Sequence, residues 1–245
     1  MALPTKTLAQ HLDPAATPKR ILALDGGGVR GALTLVVRAS TAAPYYFKPY
    51  PLHVTLHDAE NSQPIKGTFA DGGVSTANNP ALQALMVATL NGFRLNWQMG
   101  EDKLLVASLG TGRPNPNRRP TSLTAKHAVN SLLSVMDDAA ALVETTMQWM
   151  SEGETARTID SEIEKLEGDI VGISSTPMLT YRRYDVEFST DWFKEHLDCA
   201  MSEKEVSQLE SMDHSGNVPR LEEIGTLAAS RQLHDHSFPD VFDLS

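Results

Sequence analysis

Arg20-Ile21-Leu22-Ala23-Leu24-Asp25-Gly26-Gly27-Gly28-Val29-Arg30-Gly31 decides the fold class of this chain. Ile21–Leu24 is a short apolar run between Arg20 and Asp25, the pattern of a strand buried on both faces of a parallel sheet. It runs straight into glycines, which let a backbone turn tightly and approach a ligand with no side chain in the way. A helix is expected from about Val29, through Ala32, Leu33, Leu35, Val36 and Val37. Strand, glycine turn and helix in that order leave free N–H groups at the helix start, where an anion can be held.

Outward from this stretch, Leu52–His57 alternates apolar and polar residues and is expected as a strand. Asn61–Lys66 is expected as a turn, and Gly67–Ala70 as a strand entering Asp71-Gly72-Gly73. Asn79-Pro80 opens a helix through Ala81–Leu90, since proline suits the first helical turn. Leu104–Leu109 is a further buried strand, ending in Gly110-Thr111-Gly112, and Pro114, Pro116 and Pro120 mark a linker. Beyond it Val129, Leu132, Leu133, Met136, Ala140, Val143, Met147 and Met150 recur at helical spacing and predict a long amphipathic helix with its methionines in the core. Thr180–Phe188 is expected as a strand, and 191–233 as short acidic helices. The expected division is a polar leader over 1–19, an α/β core over 20–115, and a mostly helical extension over 116–245.

Composition narrows the function. A net charge of −10 disfavours nucleic acid and anionic membrane surfaces as partners, leaving peripheral contact with lipid to a local patch. One cysteine, Cys199, excludes an intrachain disulfide and makes a reducing compartment the default. It sits among Glu195, Asp198 and Glu203, which favour the neutral thiol, so its expected role is structural. Residues 1–20 lack an apolar signal core, and no run has the length of a membrane span, so a soluble cytoplasmic protein is expected.

The glycine stretch admits more than one chemistry. Gly26-x-Gly28-x-x-Gly31 also fits a dinucleotide fingerprint, with Asp58 after the next strand as the ribose acid. Against it, Asp25 would repel a pyrophosphate, and Asp58 lies somewhat far along. A turn that only packs a helix on a strand is the plainest reading of the stretch taken alone. The other blocks shift the balance. Arg38-Ala39-Ser40-Thr41-Ala42-Ala43-Pro44-Tyr45-Tyr46-Phe47 is followed by Phe69-Ala70-Asp71-Gly72-Gly73-Val74-Ser75-Thr76-Ala77-Asn78-Asn79-Pro80, and then by Leu109–Gly112. With the glycine loop, these four blocks in order resemble the patatin-like phospholipase family over about residues 20–112.

The resemblance implies a three-layer α/β core and hydrolysis of phospholipid or other lipid acyl esters by a serine–aspartate pair, with no metal or cofactor. It places the base at Asp71, in a turn with Gly72 and Gly73. It places the oxyanion donors at Gly26, Gly27 and Gly28, with Asp25, Arg30 and Gly31 orienting that loop. One part is missing. The family's Gly-x-Ser-x-Gly elbow needs a strand, a strained turn and a helix. Here Gly31 is followed within seven residues by Arg38 of the next block, so the chain reads as though a central piece were cut out near Leu33–Val37, truncating the sheet.

No other serine replaces it. Ser40 carries Arg38 where the elbow needs a small residue, though it is the best surrogate; Ser75 follows Asp71 too closely. Ser174 follows the acid and has one flanking glycine, and Ser108 lies within a strand. Loss or severe weakening of hydrolysis follows, with a non-catalytic lipid-binding or regulatory role as the alternative. His234 and His236 about Asp235 are expected as a polar tail, and Arg182-Arg183 as a solvated strand edge.

Overall fold

A computed structural model of the chain describes residues 12–15, 18–24, 50–54, 65–69, 77–115, 124–152, 157–159, 166, 176–210, 214–234 and 237–243. Within these it is a mixed α/β protein with a small parallel sheet. The sheet holds β1 (Lys19–Leu24), β4 (Leu104–Leu109), β7 (Leu179–Tyr184) and the short β6 (Ser151–Glu152), in the order β1-β4-β7-β6. Every pairing in it is parallel. β2 (Tyr50–Val54) and β3 (Ile65–Phe69) form a separate antiparallel pair. β5 (Arg113–Pro114) and β8 (Glu187–Phe188) extend β4 and β7 as a two-residue parallel ladder, reinforced by an Arg113–Glu187 ion pair at 3.0 Å.

Parallel strands need long crossovers. α1 (Ala81–Thr89) lies on the connection from β1 to β4, and α2 (Thr124–Trp149) on that from β4 to β7. Both press on one face of the sheet. Ala23, Leu104, Val106, Leu179 and Tyr181 from the strands meet Ala81, Leu85 and Ala88 of α1 and Val143 and Met147 of α2. Met147 is fully buried, as the helical spacing predicts. Trp97 closes this core, with the Lys19 ammonium 5.1 Å from its ring centroid. On the other face, Arg20 Nε and Arg182 Nε donate to the carbonyls of Phe242 and Ser237, and Tyr184 meets Phe238 edge-on.

A second core gathers Phe188 with Phe193 and Leu197 of α3 (Thr190–Leu197), Val206 and Leu209 of α4 (Glu203–Leu209), and Ile224 and Ala228 of α5 (Val218–Gln232). These helices have strong local signals. Ser189 caps α3 by accepting from the Trp192 N–H, and Asp198 ends it at a φ of 52°. Ser202 and Glu205 form a reciprocal capping box on α4, and a proline opens α5.

Strand β4, the helix after Asn79-Pro80, the long amphipathic helix and the short acidic helices stand where the sequence predicts them, whereas the single strand expected over Thr180–Phe188 is divided into β7 and β8. The hairpin strands are displaced: Tyr50–Val54 starts before Leu52, and Ile65–Phe69 takes the last two residues of the expected turn. The expected boundary at residue 115 cuts through the sheet, because β6, β7 and α2 complete the core begun by β1 and β4. Arg182 and Arg183 are not a solvated edge. β7 is an interior strand, and both arginines are buried. Among the described residues no helix is long and apolar enough to cross a membrane.

Candidate functional site

The register puts the ends of three strands side by side. Leu24 pairs with Leu109, and Leu109 with Tyr184. One row back, Ala23, Ser108 and Arg183 stand next to one another on the face covered by α1. The chain leaves β1 for the glycine stretch and β4 for Gly110-Thr111-Gly112 at the same end of the sheet. In open parallel sheets this carboxyl end is where ligands bind.

A chain of buried polar groups crosses that row. Ser108 Oγ donates to Asn79 Oδ1 at 3.3 Å and accepts from Arg183 Nη1 at 2.8 Å. Asn79 Oδ1 also accepts from the Ala81 N–H at 3.1 Å, which ties the start of α1 to the sheet. Arg183 Nη2 meets Asp185 Oδ2 at 2.7 Å. The other oxygen of Asp185 accepts from the N–H groups of Gly112 and Val186, both at 2.9 Å. Gln232 Nε2 reaches the Asp185 carbonyl at 2.9 Å and joins α5 to the same turn. Asn79, Ser108 and Tyr181 are essentially inaccessible to solvent.

This arrangement explains the glycines after β4. A Cβ on Gly110 would fall on the Asp185 carboxylate, and one on Gly112 would fall on the Phe188 ring. Gly112 also has a φ of 97°, which other residues rarely adopt. Leu109–Gly112 therefore has a packing reason to be what it is, quite apart from chemistry.

Burial raises the Tyr181 phenol above its ordinary value, opposed by Arg183, Asn79 and Ser108. Its hydroxyl is close to Asn79 and Ser108 but out of hydrogen-bond geometry, and Asn79 Nδ2 also lacks a partner among the described residues. A second buried cluster lies on α2, where Glu144 accepts from Arg157 Nε at 2.8 Å and from Gln148 Nε2 at 3.4 Å.

Several expected site residues lie outside the described residues: Asp25, Gly26, Gly27, Gly28, Arg30, Gly31, Asp71, Gly72 and Gly73. So do Ser40, Ser75, Ser174, Asp235 and His236. Ser108 is described, and it is unsuited to attack. It is fully buried, its proton is directed at an amide oxygen, and a guanidinium donates to its oxygen. Cys199 is half-buried against the second core, with Arg220 Nη2 3.4 Å from its Sγ while Nη1 of the same arginine pairs with Glu223 at 2.7 Å.

Sequence reasoning missed the Arg183–Asp185 pair. The available signal was two opposite charges at i and i+2, on one face of the strand expected over Thr180–Phe188. Among the described residues no three His, Cys, Asp or Glu side chains gather as a metal site. In a shallow depression on α5, lined by Pro219, Glu222, Glu223, Thr226, Leu227 and Ser230, the two hydroxyls donate to backbone carbonyls, Thr226 to Glu222 and Ser230 to Leu227. Comparison with protein-family models and with curated proteins finds no match for this chain.

Proposed function

We propose that this chain descends from a patatin-like lipid acyl hydrolase, retains the ester-binding end of the sheet, and has lost most or all hydrolysis with the nucleophile segment. The observation that carries the reading is the meeting of blocks at one sheet end. Leu24, which precedes the glycine stretch, pairs with Leu109, which precedes Gly110–Gly112, and Asn79 of the Asp71 block is bonded to Ser108 in the row beneath. Gly26–Gly28 follow Leu24 by two to four residues in the sequence. In this reading their amides face the ester carbonyl, and Asp71 has no serine to deprotonate.

The test uses the purified chain with a short-chain p-nitrophenyl ester and with phosphatidylcholine vesicles. Turnover is expected at background, with no covalent labelling by a fluorophosphonate, and with binding of a non-hydrolysable phospholipid analogue that is weakened by Gly27→Glu. Turnover well above background that Asp71→Asn abolishes would overturn the loss of catalysis. Failure of the analogue to bind would overturn the lipid reading itself.

A further inference from the structure

α2 has two apolar faces, and the first core uses one. Val143 and Met147, with the buried polar groups of Glu144 and Gln148, lie on the inner arc. On the opposite arc Val135, Leu142 and Trp149 are 62%, 67% and 45% exposed. They are spaced by seven residues, so they fall in one line along the helix. Ala139 and Thr146 fill the places between them. The Thr146 hydroxyl donates to the Leu142 carbonyl at 2.8 Å, so the polar group in this seam is already satisfied. No charged residue lies on the seam from 135 to 149. A run of this length covers about four helical turns.

Heptad spacing specifies the shape of an occupant: another helix, whose side chains enter between the three large ones. Charge specifies its chemistry. From 127 to 150 the sequence has no lysine or arginine; Glu144 is on the inner arc, bonded to Arg157, Asp137 is half-buried, and Asp138 is exposed on the shoulder of the seam. The whole chain carries −10. We propose that the outer face of α2 docks an amphipathic helix of a partner protein whose heptad-spaced apolar residues are flanked by lysine or arginine.

A second copy of this chain fits less well. It brings together two chains of like charge, each carrying −10. An anionic lipid surface meets the same repulsion. The proposal stands independently of the acyl-ester reading.

The probe is a synthetic three-heptad peptide with leucine at positions a and d and lysine at e and g, against a counterpart with glutamate at e and g. Both are titrated into the full chain by fluorescence anisotropy at low and high salt. The lysine peptide is expected to bind at least about tenfold more tightly than the glutamate peptide, and to weaken as salt rises. Leu142→Glu is expected to cost about tenfold or more. Thermal melts establish that this variant is folded; Trp149→Gln replaces it if it is not. Absence of binding, equal binding of both peptides, or binding indifferent to either variant overturns the proposal. So does sedimentation of a dimer, or flotation with phosphatidylcholine–phosphatidylserine vesicles, that Leu142→Glu abolishes.

Discussion

Replacing Arg183 with methionine removes one half of a buried ion pair and leaves the other half in place. The Arg183 and Asp185 side chains are 6% and 14% exposed, with 2.7 Å between Nη2 and Oδ2. Stripping one partner from such a pair typically costs 3–5 kcal/mol, because the remaining charge stays desolvated. Here Asp185 keeps two backbone donors, Gly112 and Val186, which moderate the penalty. Ser108 in turn loses the donor at 2.8 Å. The expected loss is about 3 kcal/mol, which for a chain of this size lowers Tm by about 6–12 °C. Urea denaturation followed by circular dichroism at pH 7 measures the first quantity, and a thermal scan the second. Arg183→Lys should lose about half as much, since an ammonium keeps the charge without the two-pronged geometry. High salt should leave both losses nearly unchanged, because the pair is shielded from solvent. A loss below about 1 kcal/mol, or one that vanishes in salt, is the behaviour of a surface ion pair and would refute the buried placement of β7.

Three further substitutions follow from single observations. Asp137 is pushed up from its ordinary value of 3.8 to about 6, first by burial and then by Asp138. Its folded state therefore holds the proton more tightly than the unfolded chain does. Stability from this group is fully present at acid pH and is lost as pH rises through about 6. Discounted for partial solvent screening, Asp137→Asn should stabilise by about 1 kcal/mol at pH 7 and by nothing near pH 3 in parallel denaturant titrations. Gly112→Ala combines a φ of 97° with a Cβ placed on the Phe188 ring, and should cost about 2–4 kcal/mol in urea. Met147→Ala empties a fully buried position between α2 and the sheet, and should cost about 2–5 kcal/mol by the same measurement, with the fold retained.

How far the fold could be read from sequence depends on what each segment hides. Leu104–Leu109 is interior and buried on its core face, and its apolar run ends at glycines, so both its bounds were readable. The strand expected over Thr180–Phe188 stops at Tyr184 and resumes as the two-residue β8, and its arginines invite a solvent-facing assignment. Besides Asp185, two residues beyond Arg183, the partners that let them be buried lie elsewhere: Ser108 on the neighbouring strand, and the carbonyl of Ser237, 55 residues from Arg182. No local pattern carries such long-range compensation. The same limit hid the continuity of the sheet past residue 115. A proline-rich stretch looks like a domain linker whether or not the next strand returns to the same sheet. The hairpin slipped because Tyr50-Pro51-Leu52-His53-Val54 and Ile65-Lys66-Gly67-Thr68-Phe69 have alternation but weak ends. The catalytic reading drew on residues of the glycine stretch and the Asp71 turn, which lie outside the described residues; the adjoining Asn79 and Leu109–Gly112 converge on one strand end.

Burying Arg183 and Asp185 is costly, and apolar residues of similar size would often stabilise a core as well or better. What the ion pair supplies instead is geometry. Asp185 holds the Gly112 N–H, Arg183 holds Ser108, and Ser108 holds Asn79, so three connections at the end of the sheet are fixed to one another by directional bonds. An apolar replacement would fill the space and let each connection shift. The same bonds dispose of Ser108 as a substitute nucleophile. Activating it would require a base in place of the Asn79 amide oxygen, withdrawal of the guanidinium from its oxygen, and a path for substrate to a fully buried atom. Each of those changes would dismantle the scaffold that gives this end of the sheet its shape. Any serine-dependent turnover in this protein must therefore come from outside the Ser108 network, and Ser108→Ala should destabilise the fold without lowering it.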